Sequence, residues 1–468
     1  MPDVAYISKG VMLLPRPLAD RLRAAAIAHV DIASLAAFRI IFGAVMFVGI
    51  LRFLTTGWIE PMYGEPTWFF KYPGFAWVEP WSATGMYIHY GVLAALALAI
   101  ALGVYFRVAI VLFTLGFLYT QLIDVTNYLN HHYLVVLLGI LLAFLPAHAA
   151  WSIDVRRHPA LARATVPAWF VWLLRFQVGV VYVFAGLAKA KVDWLGYGQP
   201  LNLWLAARSE TPLVGSLFGE PWVALAMSWA GFLFDTTIVA WLSWARTRIA
   251  AYVVLIGFHG VTGYLLNIGM FPVIMTSSAL IFFSPSWPRR VLRALGRERW
   301  AAPIAATEAR ATSPRRFVVA MIAGYVIVQL ALPLRHLVLP GNVLWNERGI
   351  RFAWHVVVRE KHGAVTFIAE LADHKQLEIP AHNYLTPRQD REMSGQPDLI
   401  VQLARHIAED LRARGYQVTA IRARTAVSLN GRAPAAMIDP TIDLVTASTE
   451  RWVLPEPAGP PPRVTIWN

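Results

Sequence analysis

The sequence predicts a polytopic α-helical membrane domain of about nine spans over residues 1–336, followed by a soluble β-rich α+β domain over 341–468. Three observations carry that reading. The 468-residue chain is 57% hydrophobic and only 15% charged, with more apolar surface than a soluble fold of this length can bury. Its apolar residues gather in runs close to the length of a bilayer crossing, about 17–25 residues. From about Gly341 those runs stop, and polar residues interleave with short β-type stretches.

The spans fall near 34–54, 88–105, 107–124, 133–148, 168–189, 221–243, 250–266, 269–284 and 317–336, the seventh and eighth being short and split only by NIG. Basic residues test the count. Arg16, Arg21 and Arg23 precede the first span, Arg107 separates the second and third, and Arg156, Arg157 and Arg163 follow the fourth. Arg246 and Arg248 follow the sixth, and PRRVLRALGRER with Arg315 and Arg316 divides the eighth from the ninth. With nine spans all these loops share one side, so the positive-inside rule predicts a cytoplasmic amino terminus and an outer-face carboxyl-terminal domain. The first span lacks a small-residue cleavage pattern and reads as a retained anchor. WSID at 151–154 reads as a cytoplasmic helix start capped by Ser152. In the outer domain RFAWHVVVRE, AVTFIAEL and KQLEIP read as strands and PDLIVQLARHIAEDLRARG as a helix, with RAPAAMIDPTIDL and PEPAGPPPRV as loop and tail.

Composition also excludes function classes. The formal charge of +13 comes from arginines in short loops, where topology and anionic headgroups account for them, so nucleic acid is not a partner and membrane lipid is. With no cysteine there is no disulfide, thiol nucleophile or thiolate metal site. Phosphate-binding glycine loops, dinucleotide fingerprints, nucleophile elbows and H-E-x-x-H are all missing from the sequence.

Only six of the 41 basic residues are lysines, yet VFAGLAKAKVDWLGYG (183–198) sets Lys189 and Lys191 at the outer end of the fifth span, against the positive-inside bias. Either such a lysine snorkels to the headgroups, or, taken out of water, it loses its proton more readily and acts as a base. The outer link DVTNYLNHHYL brings Asp124, Asn130, His131 and His132 to the same membrane level. Adjacent histidines have poor geometry for zinc, and no metal is expected. His259, inside the seventh span, is either a helix–helix hydrogen bond or a site residue. The aromatic loop FKYPGFAWVEPW (70–81) forms an interfacial belt or walls an apolar pocket.

Six blocks run in matching order with one family: FRVAIVLFTLGFLYTQLIDVTNYLNHHYL (106–134), WSID (151–154), FAGLAKAKVDW (184–194), FHGVTGYLLNIGMFPVIMTSSALIFFSPSWPRR (258–290), WNERGIRFAWHVVVREK (345–361) and VSLNGRAPAAMIDPTIDL (427–444). The chain resembles bacterial members of the vitamin K-dependent γ-glutamyl carboxylase family, whose membrane region is related to the horizontally transferred transmembrane domain. The resemblance implies γ-carboxylation of glutamate in a protein or peptide, driven by epoxidation of reduced vitamin K, with dioxygen and carbon dioxide as co-substrates. Lys189 matches the base that deprotonates the hydroquinone, and His131 the histidine beside the quinone. Asn130 and His259 are expected at the cofactor, and Trp345, Trp354, Arg359 and Lys361 at the glutamate substrate. The family's paired lysines stand here as Ala188 and Lys189. A tyrosine, a histidine and an arginine of the animal pattern correspond to Ile350, Arg359 and Lys361, so the quinol half is better kept than the glutamate half. Two alternatives remain: a non-catalytic quinone- or lipid-binding membrane protein, and an epoxidase without carboxylation.

Overall fold

The computed structural model describes residues 16–302, 315–447 and 452–462. Part of the expected linker (303–314) and the end of the tail (463–468) lie outside them. Nine apolar helices follow in chain order: α1 (Ala33–Thr55), α2 (Ala83–Leu102), α3 (Phe106–Leu122), α4 (Asn130–Phe144), α5 (Ala168–Ala188), α6 (Pro221–Ser243), α7 (Arg248–Leu266), α8 (Phe271–Phe282) and α9 (Arg316–Val338). Six of them, α1, α2, α5, α6, α7 and α9, are long and apolar enough to cross a membrane. The other three are shorter. At about 1.5 Å per residue, fifteen-residue α4 covers roughly 22 Å of a hydrocarbon layer about 30 Å thick, so six of the nine expected spans meet the length of a crossing and three do not reach it.

The helices differ in how much protein surrounds them. The most apolar stretch of α5 is 61% buried and that of α9 only 11%, which makes α5 the central helix and leaves α9 on the periphery. One buried cation organises one end of the bundle. Arg39 on α1 donates to the carbonyls of Ile100, Ala101, Ala147 and Trp151, which compensates its removal from water. Ser152 caps the short helix Ile153–Arg157 as expected, and Asp154 accepts from the first N–H groups of α3 at 2.8 and 2.9 Å. Between α7 and α8, Asn267 and Gly269 adopt left-handed φ of 49° and 61°, the tight turn expected of NIG.

The carboxyl-terminal part contains an antiparallel sheet, β1 (Lys361–Leu371), β2 (Gln376–Pro380) and β3 (Val418–Leu429), in the order β2-β1-β3. Phe367 pairs with Ile379 on one side and Ala423 on the other, and helix α10 (Pro397–Ala413) packs its Leu399, Leu403 and Ile407 into the same core. AVTFIAEL, KQLEIP and the long helix thus form as expected. RFAWHVVVRE does not become a strand. Phe352, Trp354 and Val357 hold φ of 62°, 58° and 54°, which breaks the pleat. Its backbone groups bond to side chains of the α3–α4 link and the start of α4: Phe352 N–H donates to Tyr128 Oη at 2.7 Å, and the His355 carbonyl accepts from Asn130 Nδ2 at 3.2 Å.

The carboxyl-terminal domain is tied firmly to the bundle. Phe70, Val125 and Ala188 from the helical part belong to the same apolar cluster as Trp345, Phe367 and Leu403. Arg432 grips Asp193 with two nitrogens at 2.6 and 2.7 Å, and Gln389 donates to Asp124 at 2.8 Å. Asp124 Oδ1 accepts from Thr126 within the link, which leaves Oδ2 to bond across the joint.

Candidate functional site

Lys189 caps the carboxyl end of α5, and its side chain turns back into the protein instead of snorkelling. Only 5% of the residue is exposed. Nζ donates to Asp235 Oδ2 on α6 at 2.8 Å, to the Ala185 carbonyl at 3.2 Å and to the Val356 carbonyl at 3.4 Å, and it lies 5.4 Å from the centre of the Trp194 ring. Gly186 makes this pairing possible. A Cβ there would stand 2.6 Å from Thr236 Cγ2 and 2.9 Å from Thr236 N, so α6 reaches Lys189 only because position 186 has no side chain. Lys191, two residues on, is half-buried and lines no part of the cavity beside Lys189.

That cavity holds about 260 Å³ and is walled mainly by apolar side chains, with Lys189, Asp235, Tyr182, His259 and Thr262 among its polar groups. Tyr182 Oη and His259 Nε2 are hydrogen-bonded at 2.9 Å, while His259 Nδ1 is buried with no partner. A second cavity of about 510 Å³ adjoins it, lined by Asn130, His131, His132, Phe117 and Met270 among others. Ile268, Phe271, Val356 and Val357 border both. The Phe271 ring stands between the two histidines, 6.1 Å from His131 and 6.0 Å from His259.

Asn130 and His131 are not in a loop, as the sequence suggests, but in the first turn of α4. Protein groups satisfy two polar residues of this turn: Asn130 accepts from Tyr128 Oη at 3.0 Å, and His132 Nδ1 meets Gln121 Oε1 at 2.8 Å. Successive carbonyls of the 351–360 segment, His355 and Val356, bind Asn130 and Lys189. One strained stretch therefore sets the spacing of the two residues and closes both cavities from the side of the carboxyl-terminal domain.

The four residues expected at the glutamate substrate line neither cavity. Trp354 is fully buried and stacks on Tyr133 at 5.0 Å. Trp345 is buried, with Nε1 donating to the Leu454 carbonyl at 2.8 Å. Lys361 donates to the Trp345 carbonyl and lies 3.4 Å from Glu347 Oε1; Arg359 donates to Glu347 Oε2 at 2.9 Å. Burial pulls the Lys361 ammonium down to about 8, against the opposing pull of Glu347.

Residues 28–287 match the HTTM domain, and residues 314–458 match the lumenal domain of vitamin K-dependent γ-carboxylase. The first match alone covers more than half of the chain. The chain belongs to the vitamin K-dependent γ-carboxylase family. No solved structure matches it. In this carboxylase-family chain the HTTM match takes in α1 to α8 with Lys189 and His131, and the lumenal match takes in α9 and the sheet domain.

A family tied to vitamin K needs a greasy pocket with a few polar groups. The residues present fit: apolar walls, an unpartnered imidazole nitrogen at His259, and a buried amine face one small space. Among the described residues no group of three or more His, Asp or Glu is placed to hold a metal ion. Sequence reasoning missed Asp235 and Tyr182. Asp235 had a signal, being the one carboxylate inside a long apolar span, and such a residue marks a site with a partner to be found. Tyr182 had none beyond its apolar surroundings.

Proposed function

We propose that this chain is an integral membrane enzyme that oxidises the hydroquinone of reduced vitamin K with dioxygen and uses that reaction to carboxylate glutamate in a protein or peptide with carbon dioxide. The observation that carries the proposal is the buried amine of Lys189, held in an apolar cavity next to the His131 cavity. Reduced vitamin K, when bound, supplies the oxidation that yields a base strong enough for the glutamate γ-carbon, which no side chain can deprotonate. Lys189 Nζ receives the hydroxyl proton that starts it. His131 and Asn130 orient the head group from the larger cavity, and His259 Nδ1 offers a hydrogen bond from the smaller one. The apolar walls and the roof of Val356 and Val357 keep water away from the reacting oxygen.

Purified protein in lipid, given vitamin K hydroquinone and oxygen, is expected to form the epoxide, and Lys189→Ala to abolish it. Equal silence of both would favour a non-catalytic quinone- or lipid-binding protein. A narrower reading, an epoxidase without carboxylation, draws support from Trp345, Trp354, Arg359 and Lys361 lying away from both cavities. Labelled carbon dioxide is expected in a glutamate peptide; epoxide without label would leave the narrower reading standing.

For placement we propose that the three shorter apolar helices, α3, α4 and α8, cross together with the six long ones, giving nine crossings of a bacterial inner membrane with a cytoplasmic amino terminus and the 341–468 domain in the periplasm, a reading supported by the loop arginines. A reporter fused at residue 468 is expected to be active in the periplasm, and a cytoplasmic signal would overturn the orientation.

A further inference from the structure

The contacts of Lys189 leave open where its own proton goes before it can act. Nζ faces three oxygen acceptors, Asp235 Oδ2 at 2.8 Å, Ala185 O at 3.2 Å and Val356 O at 3.4 Å. Three acceptors suit the three N–H donors of an ammonium, whereas a neutral amine would turn its lone pair toward one of those oxygens. An ammonium and a carboxylate satisfy all three contacts and leave no free electron pair on nitrogen. Two of the acceptors are amide carbonyls that cannot hold a proton; Asp235 can.

Asp235 is also well placed to be silent until needed. It is buried at 6% exposure, borders the same 260 Å³ cavity, and is brought to Lys189 by the close approach of α6 at Gly186. The other titratable groups lining the cavity are Tyr182 and His259, hydrogen-bonded to each other and not to Asp235, and Thr262 donates to the Phe258 carbonyl of its own helix.

We propose that Lys189 and Asp235 form one base, in which Asp235 takes a proton from the Lys189 ammonium so that the freed amine accepts the hydroxyl proton of the substrate. This rests on the quinol reading above. An N–H bond of Lys189 breaks as an O–H bond forms on Asp235; the substrate O–H then breaks as the N–H bond is restored, and its electron pair stays on the substrate oxygen. The net transfer is one proton from substrate to Asp235, with the ammonium left beside the oxygen that has become negative. No oxidant enters this step. The ammonium stabilises the new negative oxygen, because the two charges are opposite in sign and close in the apolar cavity, and Asp235 lets the reaction start from the ammonium instead of requiring a free amine. Asp235 acts through Lys189 and is a positioning and proton-holding residue.

The test uses full-length protein in lipid nanodiscs as wild type, Asp235→Asn and Asp235→Glu, with two readouts. Infrared difference spectra, with isotope-labelled aspartate, are taken as vitamin K hydroquinone is added without oxygen; epoxide formation is then followed across pH. The wild type is expected to gain the band of a protonated carboxylic acid on loading, and Asp235→Asn to lack it. Asp235→Asn should lower kcat by about a hundredfold near neutral pH with little change in KM, and recover as alkali removes the ammonium proton directly. Asp235→Glu should restore most of the rate. A wild type that makes epoxide without gaining that band, or an Asp235→Asn variant with the wild-type rate and pH profile, overturns the shared base while leaving the quinol reading intact. The band without any epoxide does the reverse. Should Asp235→Asn fail to fold, the labelled wild-type spectrum and the Glu variant still decide.

Discussion

Two lysines in this molecule are built into nearly the same surroundings and end with different roles. Lys189, between the helices, pairs with Asp235, donates to main-chain carbonyls and lies 5.4 Å from a tryptophan ring. Lys361, in the sheet domain, faces Glu347, donates to a carbonyl and lies 5.3 Å from Trp345. The difference is in what else is there. Glu347 is shared with Arg359, and neither cavity reaches the Lys361 cluster; Asp235 faces Lys189 across the edge of a 260 Å³ space. A buried ion pair packed on all sides holds a domain together, and the same pair left with room beside it can meet a substrate.

The sharpest way to break this comparison is to take away the close approach that creates the helical pair. Gly186→Ala puts a methyl 2.6 Å from Thr236 Cγ2 and forces α6 outward. Epoxide formation is expected to fall about a hundredfold, since a displacement on the order of 1 Å costs that much, with a stability loss of about 1–3 kcal/mol from overpacking. Wild-type turnover by Gly186→Ala would mean that the Lys189–Asp235 distance does not matter.

A smaller effect sharpens the other side. Lys361 binds its proton less tightly in the folded chain, near 8, than at its ordinary value of 10.5. Below pH 8 both folded and unfolded chains carry the charge, and folding bears the whole desolvation cost. Between about 8 and 10.5 the folded chain has released the proton that the unfolded chain keeps, so this group's contribution to stability rises with pH, by about 3 kcal/mol in all. Thermal unfolding of wild type and Lys361→Met across that window should differ in slope, the variant being flatter. Parallel curves would show that Lys361 does not titrate there.

Much of this arrangement was legible in the sequence, for reasons tied to particular residues. Lys189 stood out as a rare lysine against the charge bias, and His131 and Asn130 shared its membrane level; the structure puts them at adjoining cavities. The helices were readable because burial in lipid demands long apolar runs, but α3, α4 and α8 are shorter than the six long helices, because an apolar run does not mark where its helix ends. The Asp235 contact was not readable: it depends on α6 meeting α5 at Gly186, a pairing that neither helix pattern encodes alone. RFAWHVVVRE misled because its β-branched and aromatic residues suit a strand, while its backbone turns left-handed at three of them to roof the site.

The most direct measurement is the initial rate of epoxide formation from vitamin K hydroquinone by folded Lys189→Ala and Lys361→Ala side by side in lipid. Loss of at least about a thousandfold for Lys189→Ala, with the rate per folded molecule kept by Lys361→Ala, is the expected result for a cavity-facing base and a structural counterpart. A Lys189→Ala protein that turns over as the wild type does would contradict it.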